Sequence, residues 1–207
     1  MRTFWVGPVL ALAMAMTGCS ESDVQSADPP PKAPRPTAAA SAADPCPEKL
    51  PQAHESTHGL GTSRPAVEEP HLPAPQSAWV CVYQPRDTPE TPSGGGTIFE
   101  WVRARDPVRV DQPALTQIRS RLDSLSPAHQ SECRADLGLR YVLVYAHGED
   151  WVGVSADDFG CQDVRLTDDP FNTVAGEARS DVAVAGVLTS SDDLVAALEA
   201  TVGSPED

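Results

Sequence analysis

The sequence predicts an α+β fold, in which an antiparallel sheet of about five strands packs against two helices. Three observations lead to this prediction. Short β-rich runs separated by turn residues recur from residue 78 onward, and two segments carry apolar residues at helical spacing. Four cysteines downstream of residue 44 form an even set, so we expect a disulfide-stapled domain with both helices on one face of the sheet.

Two strands are predicted before the first helix. Residues 78–83 are β-rich and end at Pro85, and residues 97–105 form a second candidate that ends at Asp106 and Pro107. The segment 45–76 is rich in proline and lacks apolar periodicity. We therefore expect it to be ordered by a disulfide and by contacts, without regular structure.

The first helix is predicted over residues 112–125. Asp111 can cap its amino end, Pro113 suits its first turn, and Ser126-Pro127 ends it. Its apolar stripe consists of Leu115, Ile118, Leu122 and Leu125.

A meander of strands follows the first helix. Residues 140–146 are nearly all apolar, which predicts a central strand, and 151–155 return antiparallel to it. Residues 161–166 form a third strand, and 181–188 are a further candidate.

The second helix is predicted over residues 192–201. Ser190 and Asp193 have the spacing of a capping box, and Gly203 stops the helix. Its apolar face consists of Leu194, Val195, Leu198 and Val202.

The amino terminus predicts export and lipidation. A short apolar run, 4–16, follows Arg2 and leads to Thr17-Gly18-Cys19. This layout resembles the lipobox of bacterial lipoproteins. The resemblance implies that Cys19 receives a diacylglycerol thioether and that residues 1–18 are removed as a signal peptide. The alternative is an ordinary signal peptide that is cleaved elsewhere, with Cys19 incidental.

The chain downstream divides into a tether and one domain. Residues 19–44 are rich in proline and alanine and cannot build a core, so they predict a disordered tether. Residues 45–207 are of ordinary size for a single domain. The apolar run 4–16 is too short to span a bilayer, which takes about 20 residues. The predicted attachment to the cell membrane is therefore through acylated Cys19, on the extracytoplasmic face.

The remaining cysteines predict two disulfides. We expect Cys46–Cys81 and Cys133–Cys161, because each pair closes a local loop, although four cysteines allow three connectivities. A structural zinc site is disfavoured because no pair has a separation of two to four residues. A redox role is disfavoured because there is no Cys-x-x-Cys pair.

The charge distribution excludes nucleic acid as a partner. The net charge is −15, and residues 149–207 carry 14 acidic against two basic side chains, or −12. Such a surface repels phosphates and anionic lipid headgroups. We interpret it as a solvated face; a cation site and a docking face for a basic partner are the alternatives. Several aspartates in this region, from Asp157 to Asp169, lack the spacing of a calcium loop and suit turns between strands.

One string suggests metal chemistry. His54-Glu55-Ser56-Thr57-His58 matches the His-Glu-x-x-His pattern of zincins, in which a helix places both histidines on zinc and the glutamate activates water. Gly59 and nearby prolines leave little room for such a helix. We therefore interpret the string as a solvated loop; a catalytic zinc site and a weak surface metal site are the alternatives.

The run from Cys46 to Pro51, Cys-Pro-Glu-Lys-Leu-Pro, resembles the start of small actinobacterial lipoproteins of unknown function. This resemblance implies no activity. We expect a monomeric, non-catalytic, lipid-anchored domain that binds an envelope protein or a small ligand and needs no cofactor or metal. The alternatives are a metal-dependent hydrolase that uses His54, Glu55 and His58, and a structural accessory of a neighbouring system.

Overall fold

A computed structural model describes residues 44–54, 57–88, 96–129, 137–148, 150–177, 179–190 and 193–203. All of them belong to one unit of the chain, Ala33–Asp207. The predicted signal peptide, Cys19 and all of the tether except Asp44 lie outside the described residues, so those boundaries stay predictions. Within the described residues, no helix is both long and apolar enough to span a bilayer.

In the described residues the fold is α+β, with one large antiparallel sheet and two helices. The predicted class is confirmed, but the predicted number of strands is wrong, since the described part of the sheet already has eight strands instead of about five. Two of the unpredicted strands, β3 and β4, have only two or three residues, which is too short for an alternating pattern to be recognised. The strands are β1 (Trp79–Asp87), β2 (Phe99–Arg103), β3 (Val108–Arg109), β4 (Leu125–Pro127), β5 (Arg140–His147), β6 (Asp150–Asp157), β7 (Val164–Thr167) and β8 (Leu188–Ser190).

The strand order is β2-β1-β5-β6-β7-β8-β4, with β3 also paired to β1. Strand β5 lies between β1 and β6, as predicted for the apolar run that forms it. The candidate strand at 181–188 is corrected, because only its last residue, Leu188, belongs to β8.

Strand β1 runs past Pro85, where the sequence predicts its end. Its pairing with β5 ends at Tyr83, and residues 84–87 pair only with β2. Proline lacks a backbone N–H and is tolerated where one side of a strand has no neighbour. The strand can therefore continue through Pro85 as part of a two-stranded ribbon.

The first helix, α1 (Gln112–Leu122), begins as predicted. Asp111 accepts a hydrogen bond from the backbone N–H of Ala114 at 2.8 Å, and proline lies in the first turn. The predicted end is wrong, because Leu125 belongs to β4, where it pairs with Ser190. Leu125 is nevertheless buried in the same apolar cluster as the helix, which explains why its spacing fits the stripe.

The second helix, α2 (Leu194–Val202), is capped by Asp193. Its side chain accepts from the backbone N–H of Ala196 at 2.8 Å, and Gly203 with φ of 74° ends the helix. The predicted capping box that begins at Ser190 is wrong. Ser190 is instead the last residue of β8, and its hydroxyl lies 3.1 Å from that of Ser124.

The sheet is covered on both faces. The first face packs against both helices and forms the main apolar cluster, with Leu115, Ile118 and Leu198 fully buried. The second face carries a smaller, aromatic cluster. Its buried members are Cys46, Cys81, Tyr83, Trp101, Val142, Val144 and Trp151.

The second face is covered by an irregular stretch, here called the covering segment (residues 44–66). It is joined to the sheet by the Cys46–Cys81 disulfide and by backbone hydrogen bonds from Leu50 to Trp101 and from Phe99 to His58. The prediction of disulfide-ordered irregular structure is therefore confirmed, as is the Cys46–Cys81 pair. Cys161 is disulfide-bonded as well. Its predicted partner, Cys133, lies outside the described residues, so that pairing stays a prediction.

Candidate functional site: a pocket beside a buried ion-pair network

Two arginines and an aspartate meet on the second face of the sheet. Arg140 on β5 lies directly opposite Asp157 on β6, and Arg165 on β7 is opposite Ser155. The Arg140 Nε–Asp157 Oδ1 and Arg165 Nη1–Asp157 Oδ2 distances are both 2.6 Å. Asp163 binds Arg165 Nη2, also at 2.6 Å. These four residues, here called the ion-pair network, are nearly inaccessible to solvent except for Asp163, whose side chain is one-quarter exposed.

The arginines also hold the covering segment in place. Arg140 Nη2 donates to the carbonyl oxygen of Leu60 at 2.9 Å, and Arg165 Nε donates to that of Thr62 at 2.8 Å. Charge-assisted bonds of this kind are stronger than neutral ones. The network therefore joins three strands to the irregular chain that covers them.

An aromatic stack continues the network. The Arg140 guanidinium lies 4.0 Å from the ring centroid of Trp101, within cation–π range. Phe159 stacks on the same ring with a centroid separation of 5.8 Å. Trp101 Nε1 donates to the carbonyl oxygen of Gly59 at 3.0 Å, so the stack also fixes the covering segment.

Burial shifts the pKa of two network members. It lowers the pKa of Arg140, an effect that the charge of Asp157 opposes. It raises the pKa of Asp163, although Arg165 opposes this shift. Arginine remains protonated in proteins, so both guanidinium groups are positive, and they face the carboxyl groups of Asp157 and Asp163.

A pocket opens between the network and the covering segment. Its volume is about 420 Å³ when all the open space at its mouth is included, but only about 30 Å³ of this is open to the centre of a water molecule. Leu50 and Pro51 of the covering segment form one wall, and Val142, Ser155 and Arg140 of the sheet form another. The third wall is the loop after β7, here called the β7 loop (residues 168–176), which contributes Pro170, Thr173, Val174 and Ala175.

The hydroxyl of Ser155 is the distinctive polar group of this pocket. Ser155 is 2% exposed, and its Oγ has no hydrogen-bond partner among the described residues. A buried hydroxyl without a partner costs roughly 1–3 kcal/mol. Buried polar groups are seldom left in this state, so the site favours a ligand or a water molecule that supplies the missing bond.

Two glycines shape the pocket. A Cβ at Gly59 would lie 1.8 Å from the carbonyl oxygen of Phe99, and its φ of 80° suits glycine alone. A Cβ at Gly153 on β6 would lie 2.8 Å from Thr167 Cγ2 and 3.1 Å from Pro170 Cβ. Their missing side chains let the covering segment and the β7 loop approach the sheet closely.

The β7 loop is fixed by Asp169. The backbone N–H of Thr173 bonds to the Asp169 carbonyl at 2.9 Å, and Asn172 Nδ2 reaches its carboxylate at 3.0 Å. The backbone N–H of Asp169 in turn donates to Thr167 Oγ1 at 3.0 Å. Asp157, Asp163 and Asp169 therefore all bind groups of the fold itself, as expected for turn and ion-pair aspartates.

The zincin-like string does not form a helix at its second histidine. His58 has a left-handed φ of 54°, and its Nδ1 lies 3.2 Å from the carbonyl oxygen of Thr97. His54 accepts a backbone bond from Thr57 in a turn, and Glu55 lies outside the described residues. Both histidines of a zincin must lie on one face of a continuous helix, which this geometry does not provide. In the described part of the chain, no group of three or more His, Cys, Asp or Glu residues is placed to hold a metal ion.

The sequence interpretation missed the residues that define the pocket. Arg140, Ser155 and Arg165 lie in predicted strands and were not candidates for a site. One signal was available, namely an arginine at the same end of two strands that otherwise read as buried and apolar. The aromatic residues Tyr83, Trp101 and Trp151 are buried in the core. Cys19, the predicted lipidation site, is not among the described residues.

Scans against protein-family models, curated proteins and solved structures found no match to this chain.

Proposed function

We propose that this protein is a lipid-anchored domain on the extracytoplasmic face of the cell membrane that binds a small ligand without changing it chemically. The observation that carries the binding proposal is the unpartnered, buried Oγ of Ser155 in a pocket beside Arg140. A largely apolar pocket with a few convergent polar groups is the usual form of a small-molecule site.

Binding is favoured over catalysis by the surroundings of Ser155. A serine nucleophile is activated by a base within hydrogen-bond reach of its hydroxyl. The Ser155 hydroxyl has no hydrogen-bond partner in the described part of the chain, so no base there can take its proton. The neighbouring Arg165 uses its donors on Asp157, Asp163 and Thr62 and accepts no proton.

The proposed location is supported by the cysteines. Cys19 follows a short apolar run and a small-residue pair, as in lipoproteins. The Cys46–Cys81 disulfide suits an oxidising compartment outside the cytoplasm. Two or more acyl chains on Cys19 would hold the domain at a bilayer without a spanning helix.

The anchor is tested by metabolic labelling with an alkyne fatty acid in a bacterial host that lipidates exported proteins. We expect label and membrane association for the unaltered protein and for Ser20→Ala, and neither for Cys19→Ala. Label retained in Cys19→Ala, or an unlabelled protein with reduced thiols in the cytosol, would overturn the proposed anchor.

The binding function is tested with small probes on the lipidated protein in detergent micelles. Isobutyramide, methyl isobutyrate, isobutanol and sodium isobutyrate share a branched apolar body and differ in their polar group. We expect at least one of them to shift the backbone amide resonances of Val142, Ser155 and Val174 saturably, with millimolar affinity because the probes are small. If none of the four shifts these resonances, the proposed binding function is wrong.

A further inference from the structure

We propose that the pocket selects neutral carbonyl compounds, amides or esters with a short branched apolar body, and discriminates against their carboxylate analogues. This inference rests on the proposed binding function and adds the chemical class of the ligand. Three properties of the site lead to it, namely its charge balance, the unused donor and the composition of its walls.

The charge balance disfavours an ionised ligand. Arg140 and Arg165 already face Asp157 and Asp163, so the ion-pair network is neutral as a whole. A carboxylate in the pocket would add a third negative charge without a new cation to compensate it. Removal of an ion from water is costly unless such a partner is supplied. An ammonium group would in turn meet the guanidinium of Arg140, which lines the pocket.

Ser155 and Arg140 can both donate to an acceptor on a ligand, although the Ser155 hydroxyl could also accept a hydrogen bond. The Ser155 hydroxyl has a hydrogen to donate and no partner for it among the described residues. Arg140 has only donors. Thr167 is engaged, since its Oγ1 accepts from the backbone N–H of Asp169 and lies 3.4 Å from the carbonyl oxygen of Thr173. A carbonyl oxygen has two lone pairs and suits a site that offers donors.

The other walls are apolar. Leu50 and Pro51 come from the covering segment, Val142 from β5, and Pro170 and Val174 from the β7 loop. They line the same pocket as Ser155, so hydrocarbon beside the polar group of a ligand suits these walls. Branched bodies of three or four carbons fill such a short pocket better than long chains do.

A single water molecule is the competing occupant. Water would also bond to Ser155, and it would leave the pocket without chemical preference. The two possibilities differ in their response to the four probes, because an ordered water that no probe displaces leaves the resonances of the pocket unchanged.

The test compares the dissociation constants of the four probes on the unaltered, lipidated protein in micelles at pH 7. We expect isobutyramide and methyl isobutyrate to bind at least tenfold more tightly than isobutyrate, with isobutanol between them. Tight binding of isobutyrate, equal to or better than that of isobutyramide, overturns the inference and leaves the binding function in place. Absence of binding by all four overturns both this inference and the proposed binding function.

A substitution tests whether the Ser155 hydroxyl donates the hydrogen bond to the ligand. Ser155→Ala should weaken isobutyramide binding about three- to tenfold, as expected for one neutral hydrogen bond. The control is Ser126→Ala, a strand serine on β4 outside the pocket, which should leave the affinity unchanged. Unchanged affinity in a folded Ser155→Ala protein overturns the assignment. The comparison of probes uses the unaltered protein, so it decides the ligand class even if Ser155→Ala fails to fold.

Discussion

Asp157 is the residue on which the second face of the sheet depends most. Its two carboxylate oxygens each bind a different buried arginine, Arg140 from β5 and Arg165 from β7. Loss of one partner from a buried ion pair is far more damaging than loss of an exposed pair, because the remaining charge has no compensation. Asp157 therefore forms ion pairs with both guanidinium groups, whereas Asp163 forms an ion pair with Arg165 alone.

We predict that Asp157→Asn lowers the free energy of unfolding by about 3–5 kcal/mol. The matched control is Asp163→Asn, for which we expect a change below about 1 kcal/mol. The side chain of Asp163 is one-quarter exposed, and burial raises its pKa. The ionised form of Asp163 therefore contributes little to the free energy of unfolding. Urea unfolding at pH 7 measures both variants, and an equal loss for the two would contradict this view of the network.

The pocket could not be predicted at the scale of single residues. The alternation of β6 indicates that Ser155 shares a face with Asp157, but not what covers that face. The covering segment lies about 90 residues earlier in the sequence, and Arg140 meets the carbonyl of Leu60 across a separation of 80 residues. By contrast, the caps at Asp111 and Asp193 depend on neighbours three residues away, and for Asp111 the local pattern was sufficient.

The covering segment is the element that turns an open sheet face into a pocket. Its described residues, 44–54 and 57–66, belong to no α-helix or strand of the sheet apart from isolated bridges at Lys49 and Pro65, so the segment is held by its cross-links to the sheet. These are the Cys46–Cys81 disulfide, the hydrogen bond from Tyr83 Oη to the carbonyl of Pro47 at 2.8 Å, and the bonds from the arginines. An element of this kind has little stability of its own and depends on each of these attachments.

We predict that the double variant Cys46→Ala/Cys81→Ala lowers the free energy of unfolding by roughly 3–4 kcal/mol. The disulfide spans 35 residues, and its removal increases the conformational entropy of the unfolded chain. Guanidinium chloride unfolding of the oxidised native protein and of the double variant gives the difference. An unchanged midpoint would mean that the other attachments hold the segment without the disulfide.

The element boundaries show the limits of local patterns in the same way. Leu125 continues the helical stripe of α1, yet it pairs with Ser190 in β4. The pairing residues are 65 positions apart, and a three-residue strand has no recognisable pattern before its partner is known. Long runs such as β5 were predicted well because both of their faces are buried and every residue contributes to the signal.

The whole described domain is built between Asp44 and Gly203. The described members of both apolar clusters lie within these limits, and Asp44 itself makes an ion pair with Arg103 at 2.6 Å.

We predict that a protein starting at residue 41 unfolds at the same denaturant midpoint as one starting at residue 20, when both are oxidised. The reason is that the stretch 20–40 has a composition that cannot contribute to a core. Circular dichroism during guanidinium chloride unfolding measures the midpoints. A loss above about 1 kcal/mol in the shorter protein would show that the tether packs on the domain.

The amino-acid sequence alone determined the α+β class, the main strands, the start of the first helix and the Cys46–Cys81 pair. Each of these follows from short-range periodicity, from capping or from the pairing of cysteines within a local loop. Only the tertiary structure decided the number of strands, the ion-pair network and the pocket at Ser155. These depend on which distant segments meet across the sheet, and backbone pairing and burial are properties of the folded chain rather than of any short stretch of it.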